Sequence, residues 1–168
     1  WVSFVKKPLL APLELTIGAH ERIGADGEVV TDLDEDQLRL DLTTLHASGE
    51  VEALTICFIN AYINGAHERR AREIAAEIFT DTPISISSDV VPEMQEYERT
   101  ETTVVNSYVR PEVASYVSNL QAALDDKMGS DTQLSILRSD GGLASARASA
   151  ESPVNMLMSG PAGGVSGA

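Results

Sequence analysis

The apolar positions along this chain change period several times, and each change marks a change of element. Leu13, Leu15 and Ile17 alternate with small or polar residues in the stretch that runs to Ile23, and a second apolar pair, Val29 and Val30, follows Asp26-Gly27. Alternation of period two predicts strands, and Asp-Gly between two of them predicts a hairpin. The period then lengthens. Leu38, Leu42 and Leu45 recur at helical spacing between an acidic start at Asp32 to Asp36 and a stop at Gly49. Carboxylates suit the positive end of a helix dipole, so this segment reads as an amphipathic helix. Val51 to Asn60 is almost continuously apolar, the pattern of a central strand covered on both faces. Asn64-Gly65 turns the chain into a second amphipathic segment, with Ala71, Ile74 and Ile78 on one face and Glu68, Arg69, Arg72, Glu73 and Glu77 on the others. Pro83 opens a short alternating run at Ile84 and Ile86. Strand, helix, strand in this order predicts a parallel, right-handed βαβ unit.

Pro92 precedes the longest helical stretch. Met94, Tyr97, Val104, Val105 and Tyr108 form an apolar stripe, Pro111 restarts or kinks the helix, and Val113, Val117, Leu120 and Leu124 carry it to Met128-Gly129. Gln133 to Arg138 reads as another buried strand, Ser139-Asp140-Gly141-Gly142 as a sharp turn, and an alanine-rich segment then leads through Pro153 to closing glycines. The pattern as a whole predicts an α/β fold with long helices packed on a mixed or parallel sheet.

Composition narrows the function. A chain of 168 residues with 43% hydrophobic content can bury a core. Its net charge of −14 repels phosphate backbones and anionic lipid, which argues against nucleic acid and membrane as partners. The single cysteine, Cys57, lies among apolar neighbours; it reads as a small core residue and, with no second thiol to pair with, favours the cytoplasm. No apolar run reaches the roughly 20 residues of a membrane helix. Trp1 at one end and a glycine run at the other read as the cut ends of a longer polypeptide.

Four stretches carry candidate chemistry. Gly160, Gly163, Gly164 and Gly167 would let a backbone approach a phosphate, or else make a tight turn into a closely packed helix; neither the dinucleotide fingerprint nor the Lys-Ser/Thr of a P-loop is present. Asp140-Gly141-Gly142 follows a predicted strand, where Asp140 could hold a metal or activate water, or where the three residues could simply turn the chain. Residues 93–106 crowd Glu96, Glu98, Arg99, Thr100, Thr102 and Thr103 onto about three helical turns. That is either a salt-bridged surface or a polar binding face, and three threonines go against helix propensity. His67-Glu68 begins like the zinc motif H-E-x-x-H, but Ala71 occupies the second histidine's place, and His20 and His46 fall on other elements. No metal site is expected, and no catalytic residue can be assigned.

Three stretches, CFINAYINGAHERRAREIAAEI, SISSDVVPEMQEYERTETTVVNSYVRP and SILRSDGGLASARASAESPVNMLMSGPAGGVSGA, together resemble the hydantoinase A/5-oxoprolinase family in order and spacing. The resemblance covers essentially the whole chain. It implies a piece of an ATPase of the actin/hexokinase type with ribonuclease-H-like lobes, in which residues 1–90 are the latter part of the N-terminal domain and 91–168 the beginning of the hydantoinase A domain. For the full-length protein it implies ATP and Mg2+ as cofactors, a small cyclic amide as substrate, a second hydantoinase subunit as partner and an oligomeric state. The reaction it implies is opening of a hydantoin or 5-oxoproline ring, with ATP-dependent ketone carboxylation as the alternative within the family. Arg99, Thr102, Thr103, Asp140, Gly141 and Gly142 become candidates for lining the interlobe cleft, and Gly160, Gly163 and Gly164 for lying near the nucleotide. Two departures limit the carry-over. The D-x-G-G-T phosphate loops of the family are missing from this stretch, and Leu143 stands where such a loop would put a hydroxyl, in a segment where relatives often show Asn at the place of Asp140. The excised piece is therefore expected to bind no nucleotide by itself and to behave as a non-catalytic module.

Overall fold

The computed structural model describes residues 9–129 and 132–167; Trp1 and Ala168, the ends read above as cuts, lie outside them. The chain separates into two compact units, Trp1–Val104 and Val105–Ala168.

In the first unit, the predicted strand around Leu13 is a 3-10 turn, Leu13–Leu15. Pro12 sets φ at −59° and the Thr16 hydroxyl donates back to the Pro12 carbonyl, a local bond that an extended strand could not make. Only the end of that segment pairs: β1 (Arg22–Ile23) and β2 (Val29–Thr31) form the expected antiparallel hairpin, turning at Gly27 with φ 87°. The helix α1 (Glu35–Ala47) is capped by Asp34, whose side chain accepts from the Gln37 N–H, and it stops before Gly49 at φ 70°. Strand β3 (Leu54–Ile56), helix α2 (Ala66–Ile78) and strand β4 (Ile84–Ile86) make the βαβ unit, with β3 and β4 parallel and Leu54 opposite Ile84. The long strand predicted over Val51 to Asn60 is thus three residues, because the chain turns after Ile56 and reaches Asn60 in the left-handed region at φ 59°.

One hydrophobic cluster holds these elements. Leu38, Leu42 and Leu45 of α1 meet Ile56 of β3, Ala71, Ile74 and Ala75 of α2, Phe79 and Ile86 of β4, all buried. Each buried leucine or isoleucine there removes enough apolar surface from water to contribute about 1.5–3 kcal/mol. Ion pairs between α1 and α2, Arg70 with Glu35 and Arg39 with Glu77, run outside this apolar seam.

A one-turn helix α3 (Ser87–Val90) follows β4, and α4 (Glu96–Met128) then runs 33 residues without interruption through Pro111. The predicted apolar stripe holds only in part: Val104 and Val105 are half-buried, but Tyr97 and Tyr108 are 74% and 67% exposed, and Met94, 66% exposed, precedes α4. Beside the buried Val117, the inward positions of the helix's N-terminal half are polar, with Arg99, Thr103, Asn106 and Ser107 buried, because this face carries hydrogen bonds to neighbouring loops that no apolar side chain could supply.

In the second unit, β5 (Ser135–Leu137) pairs antiparallel with β6 (Leu143–Ser145), a strand the sequence reading did not anticipate. Helix α5 (Ala146–Glu151), capped by Ser145, leads through a 3-10 turn at Pro153–Met156 into α6 (Ser159–Ser166). Asn106 ties α4 to these turns: its Oδ1 accepts from the Val154 N–H and its amide donates to the Glu151 carbonyl. The fold is α/β, but among the described residues it contains three separate two-stranded sheets, one parallel and two antiparallel, in place of a single mixed sheet. No helix among the described residues is long and apolar enough to cross a membrane.

Candidate functional site

The most concentrated buried chemistry lies at the carboxyl ends of the parallel strands β3 and β4. Glu68, in the first turn of α2, is 0% exposed. Three donors converge on its carboxylate: the Phe58 N–H at 2.8 Å and the Ser87 hydroxyl at 2.6 Å on one oxygen, and the Ser88 N–H at 2.8 Å on the other. Phe58 lies just past β3 and Ser87 and Ser88 just past β4, so one side chain joins the exits of both strands. Arg99, 1% exposed on α4, completes the arrangement. Its Nε donates to the Ser87 oxygen at 3.1 Å, one terminal nitrogen to the Phe58 carbonyl at 2.7 Å and the other to the Glu93 carbonyl at 3.0 Å. Its guanidinium also lies over the Tyr62 ring, 5.5 Å from the centroid. The single Phe58 residue is therefore gripped through both its N–H and its C=O.

Cys57 borders this network. Burial pushes its thiol above the ordinary value and the Glu68 carboxylate pushes the same way, against hydrogen bonds with Thr100, Thr103 and Ser87. Thr103 satisfies its own hydroxyl by donating to the Arg99 carbonyl one turn back. On its far side the loop from Cys57 to Gly65 is held to the β1–β2 hairpin: the Asn60 amide donates to the Ile23 carbonyl at 2.9 Å and the Asn64 amide to the Gly27 carbonyl at 2.8 Å. His67 and Glu21, both largely buried, pair at 2.8 Å beside it.

Of the sequence candidates, Arg99 and Thr103 thus fall inside this network, while Thr102 is half-buried beside them. Glu68, Ser87 and Phe58 were missed. The sequence reading sets Glu68 apart from the apolar face of its helix, and the sequence signal against that is its spacing, three residues before Ala71 and seven before Ala75, which puts it on the same buried face of α2.

The remaining candidates gather in the second unit. Asp140, Gly141 and Gly142 form the β5–β6 turn, with Gly141 at φ 83°, the Gly142 N–H donating to Asp140 Oδ1 at 2.9 Å and Arg138 pairing with Asp140 at 2.9 Å. The turn reading of this stretch holds, and the strand it follows belongs to an antiparallel hairpin, not to an open parallel sheet. A side chain at Gly141 would come 3.4 Å from the Ser166 hydroxyl, so the turn lies against the end of α6. On α6 the glycines divide by role. A Cβ at Gly163 would fall 2.6 Å from Leu137, which makes that glycine a packing requirement, whereas Gly160 and Gly164 meet nothing within 4 Å. No side chain caps the start of α6. Among the described residues no group of three or more His, Cys, Asp or Glu could hold a metal ion.

Comparison with known proteins agrees in order along the chain. Residues 3–79 match the hydantoinase/oxoprolinase N-terminal region and residues 99–168 match the hydantoinase/oxoprolinase domain. The caprolactamase subunit alpha of Pseudomonas jessenii is 32% identical over 154 residues, 92% of this chain and 22% of that protein. The 5-oxoprolinase of Saccharomyces cerevisiae is 34% identical over 147 residues, 86% of this chain and 11% of that protein. Among solved structures, a nucleotide-free acetone carboxylase superposes with a TM-score of 0.84 at 30% identity, covering 95% of this chain and 22% of that one. The chain therefore spans about a fifth or less of its relatives' length, and it belongs to the hydantoinase/oxoprolinase family.

Proposed function

We propose that the chain is a segment of an ATP-dependent enzyme that opens a small cyclic amide, a hydantoin or 5-oxoproline ring. The observation that carries this reading is the succession of the two family regions along one chain, together with relatives whose names join this family to a 5-oxoprolinase and a caprolactamase, both acting on cyclic amides. Ribonuclease-H-like lobes would clamp Mg-ATP in the longer polypeptide, and ATP would supply the activation of the ring amide. The glycine-rich α6, with Gly160 and Gly164 open, would approach the nucleotide, and the turn at Asp140 to Gly142 would line a cleft beside it. Phosphate-gripping residues are expected on other parts of the polypeptide. A second subunit is part of the proposal, supported by the caprolactamase relative being a subunit, and so is residence in the cytoplasm.

A second reading, an ATP-dependent ketone carboxylase subunit, is favoured by the 0.84 superposition on acetone carboxylase. Steady-state ATP hydrolysis by the full-length enzyme separates the two. Stimulation by hydantoin, N-methylhydantoin or 5-oxoproline is the expected outcome; stimulation by acetone only when bicarbonate is present would replace the first reading with the second.

A further inference from the structure

We infer that Glu68, Ser87 and Arg99 are positioning residues: they hold the loop from Cys57 to Gly65, at the carboxyl ends of β3 and β4, in the one backbone conformation that a substrate requires. The inference rests on the proposed reading of the chain as part of an enzyme.

Three observations converge on it. The first is location. Ligands of open α/β sheets bind outside the carboxyl ends of parallel strands, and the loop after β3 and the segment after β4 both leave from that end. The second is the form of the restraint. Glu68 and Arg99 take the N–H and the C=O of the same residue, Phe58, while Asn60 and Asn64 tie the other side of the loop to the hairpin and Asn60 holds φ at 59°. Between these anchors the loop presents Ile59 and Ile63 to solvent, 43% and 44% exposed. The third is cost. Burying a carboxylate and a guanidinium carries a desolvation penalty that apolar side chains of similar volume would avoid, so the network is a poor device for stability alone. What it does supply is definition: each donor has one acceptor at one distance, and the loop cannot shift without breaking several bonds together.

The test uses the full-length enzyme and the variants S87A, E68Q and R99K. Wild type is assayed first on hydantoin, 5-oxoproline, and acetone with bicarbonate. Turnover of acetone alone would overturn the cyclic-amide reading and leave the positioning inference to be judged on that substrate. KM and kcat are then measured separately on the substrate that wild type turns over. S87A removes only the hydroxyl that links the two charged groups and keeps both charges, so it decides the matter even where E68Q does not fold. The expected result is a KM raised about threefold in S87A and about tenfold or more in E68Q, with R99K between them, in proportion to the hydrogen bonds lost. Amide exchange at Phe58 and Ser88 is expected to quicken in E68Q. A role in stability alone would lower the melting temperature and leave KM at the wild-type value in the folded fraction. That result overturns the inference.

Discussion

Glu68 stands between His67 and Arg69 on a helix start, and by residue type it is a solvated charge. It is instead among the largest fully buried side chains, because three donors at strand exits replace the water it gives up. The same environment sets the chemistry of its neighbour Cys57. Burial raises the thiol's pKa, which leaves less thiolate at neutral pH, and the thiolate is the reactive form. We expect Cys57 to react with a disulfide reagent such as DTNB far more slowly in the native protein than in urea. Equal rates in the two states would mean that the pocket formed by Thr100, Thr103 and Ser87 does not exist in solution.

At the scale of elements, the contact between α1 and α2 has an apolar seam and a charged margin, and the two respond differently to solution conditions. The Arg70 guanidinium bonded to Glu35, and Arg39 bonded to Glu77, hold both carboxyls below their usual value near 4.5. A carboxyl whose folded pKa is depressed contributes stability above its unfolded value and loses it as pH falls through the folded value. Urea midpoints should therefore drop as pH falls below about 4.5, and the double variant E35Q/E77Q should show a flatter drop over that window. Because these pairs are solvent-exposed, added salt should shrink the difference between the variant and wild type at pH 7. Gly65, at the start of α2, makes a different prediction. A Cβ there would lie 2.7 Å from the Ser88 hydroxyl and 2.8 Å from Ser88 Cβ, while the Ser88 N–H is fixed on Glu68. Ser88 cannot retreat without releasing that bond, so G65A should destabilise by about 1–3 kcal/mol, read from chemical denaturation. A neutral substitution would show that the strand exits are looser than drawn.

At the scale of the whole molecule, the family regions run in order along the chain, and we propose that the residues that grip a nucleotide lie on other parts of the longer polypeptide. Calorimetry of the isolated 168-residue polypeptide with Mg-ATP is expected to show no binding in the micromolar range; tight binding would mean that α6 and its surroundings suffice. How much of this was legible beforehand follows from the range of the interactions involved. Period, helix-start charge and turn residues act within a few positions, so the sequence by itself determined α1 with its acidic start, the Gly27 hairpin, the β3–α2–β4 unit and the Asp140-Gly141-Gly142 turn. It also carried the family assignment, since the motif segments are linear. Where Val51 to Asn60 stops being a strand, and which face of α4 turns inward, were decided by partners far away in the chain, Ile23 for Asn60 and Phe58 for Arg99. Only the tertiary structure could bring Glu68, Ser87 and Arg99 onto one peptide, because a buried polar side chain is tolerated according to the donors and acceptors that meet it in space, and residue type and spacing do not encode those.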